Sequence, residues 1–240
     1  MVYFKIALAS AKFINKDVAH NLIEMKKFMY IAKENGADLV CFGEAFLQGF
    51  DSLCWNYESD KSMALSTDSE VFSVIRNKSK EIGIDLLFGF IEKDGDKIYS
   101  SCALIENGAL SHLYRRISKG WKEYSITDWH YDEGTAVRCF NYRGKKCLIA
   151  LCGDLWDFPN EFRLGEDILF WPVYINYSPD EWKNGVESEY AEQAHFVCNH
   201  TLLINSVCDG DSRGGCFEFA DGKTVSSISM CSKNILTIEV

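Results

Sequence analysis

Past its opening aspartate "DLVCFG" (Asp38 to Gly43) is apolar without interruption, and so is "CLIAL" (Cys147 to Leu151). A strand with one wet face alternates apolar and polar residues, whereas a continuous run fits a strand buried on both faces. Such strands need helices or a second sheet on either side. "FKIALAS" (Phe4 to Ser10), "IDLLFGFIE" (Ile84 to Glu92), "DILFWPV" (Asp167 to Val173) and "TLLINSV" (Thr201 to Val207) read as further strands.

The intervening segments supply helices. Asp17 can cap a helix over about Asp17 to Asn35, with Val18, Leu22, Met25 and Met29 on one face and Gly36 placed to end it. A second helix fits Ser69 to Glu81, with Phe72, Ile75 and Ile82 facing inward. A short helix fits Pro159 to Leu164, and a long one fits Asp180 to Asn199. Hairpin signals stand at Asp94-Gly95, Asn107-Gly108 and Arg143-Gly144. "ALSHLYRR" (Ala109 to Arg116) is the strand after the second signal. A last pair, "GCFEF" and "ILTIEV", brackets the Asp221-Gly222 turn. No repeat or linker interrupts this order. The expectation is one domain over residues 1–240, with parallel and antiparallel pairing and helices as outer layers.

A net charge of -10 argues against a nucleic-acid surface, which needs clustered Lys and Arg. No segment approaches the ~20 apolar residues of a spanning helix. The start "MVYFKIALASAKF" lacks the basic region and cleavage pattern of a signal peptide. A soluble, cytoplasmic protein is expected, without a membrane partner. The ten cysteines are scattered, several within apolar runs, which fits reduced core thiols better than a disulfide scaffold. His195, Cys198, His200, Cys208 and Cys216 could be assembled into a zinc site on paper, but no C-x-x-C pair supports it. No metal or cofactor is expected.

Polar residues that interrupt strand ends carry the chemical signal. Glu44 follows "DLVCF" and one glycine, Arg116 ends "LSHLYRR", and Cys152 ends "CLIAL". Ligands gather beyond the carboxyl ends of strands in open α/β sheets, so an acid, a cation and a thiol could converge there. Alone, Cys152 could equally be the last apolar residue of its strand, and Glu44 a capping or surface acid.

With those segments in hand, the chain resembles the nitrilase superfamily of carbon–nitrogen hydrolases. The matching stretches are "GADLVCFGEAFLQGF", "LYRRIS", "HYDEGTAVRCF", "GKKCLIALCGDLWDFPNEFR", "ILFWPVYIN" and "LLINSVCDGD". The resemblance implies a four-layer α-β-β-α sandwich and homodimers or larger homo-oligomers. It also implies an amidase-like hydrolase of small-molecule amides (or nitriles). Glu44 would be the general base, Cys152 the nucleophile, and Asp154 a structural hydrogen-bonding acid. The backbone N–H of Gly153 would help hold the oxyanion, and Gly153 would ease the tight turn at the strand end.

The chain departs from the family where a lysine is expected, because it reads Tyr114-Arg115-Arg116. Three readings stand open. Arg116 does the lysine's work, or Lys119 or Lys122 reaches in from the following loop, or the site is catalytically impaired and the protein binds or assembles. Of the two lysines, Lys122 is favoured by Trp121 beside it. Asp128 and Glu123 are the nearest candidates for the second acid of many members. Gly153 stands where relatives often carry Tyr, which would open space next to the nucleophile. Trp121, Trp156 and Tyr177 are candidate substrate contacts, with Phe50, Trp55, Tyr57, Trp129 and His130 as further aromatic candidates.

Overall fold

The chain builds two six-stranded sheets that face one another. A computed structural model describes residues 3–240. The first sheet contains β1 (Lys5–Ser10), β2 (Leu39–Cys41), β3 (Asp85–Asp94), β4 (Lys97–Glu106), β5 (Ala109–Arg115) and β12 (Asn234–Glu239). The second contains β6 (Phe140–Tyr142), β7 (Lys145–Ile149), β8 (Ile168–Val173), β9 (His200–Val207), β10 (Arg213–Ala220) and β11 (Lys223–Ile228). Their orders are β12-β1-β2-β3-β4-β5 and β11-β10-β9-β8-β7-β6. In each sheet three parallel strands, β1-β2-β3 or β7-β8-β9, lie inside antiparallel flanks.

Helices cover both outer faces. α1 (Val18–Glu34) and α2 (Glu70–Ile82) pack on the first sheet, where Met25, Phe28, Met29, Phe72 and Ile75 join Val40, Phe42 and Leu86 in one apolar cluster. Asp17 and Ser69 cap these helices by accepting from the N–H groups of His20 and Phe72. After the one-turn α3 (Asp154–Asp157), α4 (Glu187–Val197) covers the second sheet with Tyr190, Ala191 and Ala194. The result is the α-β-β-α sandwich. Each fully buried Phe, such as Phe88 or Phe170, contributes roughly 1.5–3 kcal/mol to its stability. Between the sheets Cys41 lies near Cys102, Cys147 and Cys216, all of them free thiols. Burial raises the Cys41 thiol well above its ordinary value. Among the described residues no helix is long and apolar enough to cross a membrane, and no three His, Cys, Asp or Glu side chains are grouped to hold a metal.

Three expectations change. "ILTIEV" does not pair with "GCFEF". The Asp221-Gly222 turn joins β10 to β11, and β12 crosses to the other sheet to lie antiparallel to β1. The helix expected over Asp180 to Asn199 is interrupted, because Gly185 at φ 148 opens the turn over Trp182–Val186 and a regular helix resumes only at Glu187. The first hairpin turns one residue later than Asp94-Gly95, at Gly95 and Asp96.

Candidate active site

Glu44 sits beyond the end of β2 and is 1% exposed. Its backbone passes so close to β3 that a Cβ on Gly89 would lie 2.6 Å from Ala45 N and 2.7 Å from Glu44 Cα. Only a glycine permits that approach. The β4–β5 ladder then brings two polar side chains to the carboxylate. Arg116 N donates to Ser100 O at 2.9 Å, holding the end of β5 against β4. From there Arg116 Nη1 donates to Glu44 Oε1 at 2.8 Å, and Ser100 Oγ donates to the same oxygen at 3.0 Å. Glu44 Oε2 is buried and has no partner among the described residues.

Arg116 is 3% exposed. Its Nε donates to Ser118 Oγ at 2.7 Å, so the guanidinium is held from two sides. Burial pulls its pKa down, but Glu44, Cys152 and Asp154 outweigh that and raise it. The side chain therefore stays cationic.

Cys152 lies beyond the end of β7. Its backbone is held by β8, where Cys152 N donates to Pro172 O at 3.0 Å and Trp171 Nε1 donates to Cys152 O at 2.9 Å. Cys152 itself takes the left-handed conformation, φ 43, while Gly153 is ordinary right-handed backbone at φ -66 and ψ -10. The expectation that Gly153 eases the turn is therefore corrected, since the unusual backbone belongs to the cysteine. A non-glycine residue there costs energy and persists only where its surroundings enforce it. The thiol approaches the Tyr174 carbonyl at 3.8 Å. Its pKa is pushed up to about 12, by burial first and then by the facing Glu44 carboxylate, against the pull of Arg116.

Asp154 braces the cysteine turn against the end of β5. Its Oδ2 accepts from Tyr114 OH at 2.6 Å and from Leu151 N at 2.8 Å; its Oδ1 accepts from Ile117 N at 3.1 Å and Ser118 N at 2.8 Å. Burial raises its pKa, opposed by Arg116 and these donors.

The loop lysines lie elsewhere. Lys122 Nζ is 2.7 Å from Glu133 Oε1 and 2.5 Å from Tyr131 O, and exposed Lys119 lies over the Tyr124 ring. Asp128 holds His130, through Nδ1 at 2.8 Å, and Glu123 is exposed; neither approaches Glu44. The aromatic candidates fall into three groups. Trp121 lines a small apolar cavity beside Glu44 with Ala45, Phe50, Leu53, Trp55, Ile91 and Ser100. Trp156 and Tyr177 surround Tyr190 on the cysteine side, at 5.1 Å and 6.4 Å between ring centroids. Tyr57 and Trp129 both stack on His130, near the surface. Ser100 and Ser118 escaped the sequence reading. Ser118 stands two residues past Arg116, in the bend after β5, where it accepts from the arginine's Nε.

The family model for carbon-nitrogen hydrolases matches residues 5–207. The chain belongs to the carbon–nitrogen hydrolase family. Curated relatives include the citrullinase of Francisella tularensis, 24% identical over 80% of this chain and 71% of its own length. Another is the glutamine-dependent NAD(+) synthetase of Thermotoga maritima, 24% identical over 65% of this chain. The match spans only 27% of that synthetase. Among solved structures, an amidase from Nesterenkonia sp. superposes with a TM-score of 0.80 at 17% identity, over 99% of this chain and 90% of its own. One mutant of that amidase carries acrylamide added at its active-site cysteine.

Proposed function

We propose that this carbon–nitrogen hydrolase is an amidase for small molecules, working through Cys152, Glu44 and Arg116. The observation that carries the reading is the division of labour on Glu44. One oxygen is taken by Arg116 and Ser100, and the other, Oε2, is buried with no partner among the described residues. A thiol whose pKa is about 12 keeps its proton at neutral pH, so attack needs a base beside it.

In this reading Cys152 Sγ forms a bond to the amide carbon as its proton passes to Glu44 Oε2. The developing oxyanion is met by the Arg116 guanidinium and the Gly153 N–H. Glu44 returns the proton to the departing nitrogen, the C–N bond breaks, and ammonia leaves a thioester on Cys152. Water then attacks the thioester while Glu44 accepts its proton, and the acid departs as the thiol is restored. Asp154 takes no part in these transfers; it holds the turn and the end of β5.

The apolar cavity beside Glu44, with Trp121 in its wall, has room for no more than a very small uncharged group. On the cysteine side Trp156 and Tyr177, which pack around Tyr190, are the candidate contacts for the rest of the substrate. The names of the relatives extend the candidate substrates to glutamine, citrulline and nitriles. The test is ammonia release from a panel of short amides, glutamine, citrulline and small nitriles, with Cys152→Ala alongside. Release from an amide, lost in the variant, supports the reading. Silence across the panel with a folded protein favours the impaired, binding-only alternative.

A further inference from the structure

We propose that Gly153 is a positioning residue: its missing side chain, together with that of Gly120, provides the seat in which an arginine serves at position 116. A Cβ on Gly153 would lie 2.6 Å from Arg116 Nη2 and 3.3 Å from Ser118 Oγ. A Cβ on Gly120 would lie 3.2 Å from the same Nη2. The guanidinium therefore occupies the volume that side chains at both positions would fill. The space expected to open beside the nucleophile is taken by Arg116.

Backbone conformation does not account for these glycines. Gly153 is right-handed, and neither it nor Gly120 has a positive φ. Alanine adopts such a conformation readily. What alanine cannot do is share space with Nη2. The end of an arginine usually yields to a new methyl group, but this one is fixed. Yielding would break the 2.8 Å bond from Nη1 to Glu44 or the 2.7 Å bond from Nε to Ser118. Nη2 donates to none of the described residues, which leaves its hydrogens for a ligand beside Cys152. A lysine would be narrower, with one terminal nitrogen in place of a planar fork. Arg116 and Gly153 are thus one coupled choice, and a lysine at 116 would not need the glycine.

The catalytic meaning of the seat rests on the function proposed above; the coupling between the two positions can be measured without it. Arg116 lowers the Cys152 pKa, so a displaced guanidinium leaves less thiolate at a given pH. The experiment compares the wild type, Gly153→Ala, Arg116→Lys and the double variant. Iodoacetamide labelling of Cys152 is followed by peptide mass mapping across pH, which separates it from the exposed Cys54 and Cys231. With Arg116 present, Gly153→Ala should slow labelling at pH 8 about tenfold and move the titration upward by about one unit. With Lys at 116 the same change should alter the rate less than about twofold. Gly120→Ala, at an exposed position, should repeat the pattern more weakly and serves if Gly153→Ala does not fold. Equal losses in both backgrounds, or no loss in the Arg116 background, would overturn the seat. A protein that releases no ammonia yet shows the coupling would sink the amidase reading and leave the seat standing.

Discussion

Arg116 Nη1 and Glu44 Oε1 lie 2.8 Å apart, with 3% and 0% of their side chains exposed. Each is the other's counter-charge in a site with little water. A buried pair of this kind adds little net stability, but removing one partner strands the other at a cost of roughly 3–5 kcal/mol. The pair therefore fixes the base and the cation together.

Arg116→Ala should lose stability on that scale and lower ammonia release by at least about a hundredfold. Lys122→Ala removes a contact to Glu133 and Tyr131 that lies away from Glu44, and should keep release within about threefold. Urea denaturation and initial rates, measured side by side, check both. The opposite ranking would move the cation to the loop.

Glu44→Gln should change turnover and thiol reactivity in opposite directions. Without the base, release should fall about a hundredfold or more. Without the carboxylate charge, a cause of the raised Cys152 pKa is gone, so labelling of the thiol at fixed pH should speed up. Slower labelling in this variant would contradict the placement of Glu44 against the thiol.

Asp154→Asn keeps the size of the side chain and turns two of its acceptor contacts toward an NH₂ group. Either Tyr114 and Leu151 or Ile117 and Ser118 would then meet a donor. A loss of about 2–4 kcal/mol is expected in denaturant titration, along with reduced release as Ser118 and Arg116 shift. Unchanged stability would show that this brace is not needed.

Alkaline stability follows from the buried thiols. Cys147, Cys198 and Cys216 are each pushed up to about 12 by burial. A thiol whose folded pKa lies above its unfolded value favours folding fully below the unfolded value, near 9, and loses that support as pH rises toward 12. The urea midpoint should hold from pH 7 to about 8.5 and then fall steadily, with a shallower fall in Cys216→Ala. A midpoint that stays level to pH 11 would contradict it.

Much of the frame was readable before the structure. Continuous apolar runs gave β2 and β7, helical spacing gave α1, with its capping Asp17, and α2, and polar residues at strand ends pointed to Glu44, Arg116 and Cys152. Pairing partners were less readable. "ILTIEV" carries a strand pattern, yet nothing local says that it crosses to β1 instead of joining β10. The interruption near Gly185 has the same character, since a glycine within a helical run is often tolerated. At the site, proximity in sequence gave Lys119, Lys122 and Arg116 similar standing. What separates them is the β4–β5 ladder, which carries Arg116 to Glu44, and the loop's own ion pair between Lys122 and Glu133. Gly153 was noticed as a departure, but its contact is with a side chain distant in sequence, so its consequence needed the fold.

The proposed reaction passes through a covalent acyl enzyme on Cys152. Rapid quenching during turnover of an amide found active in the panel, followed by intact mass and peptide mapping, tests it directly. The expected result is a mass gain equal to the acyl group less one hydrogen, located on the Cys152 peptide and absent in Cys152→Ala. Turnover with no such adduct at any quench time, or turnover that survives Cys152→Ala, would contradict it.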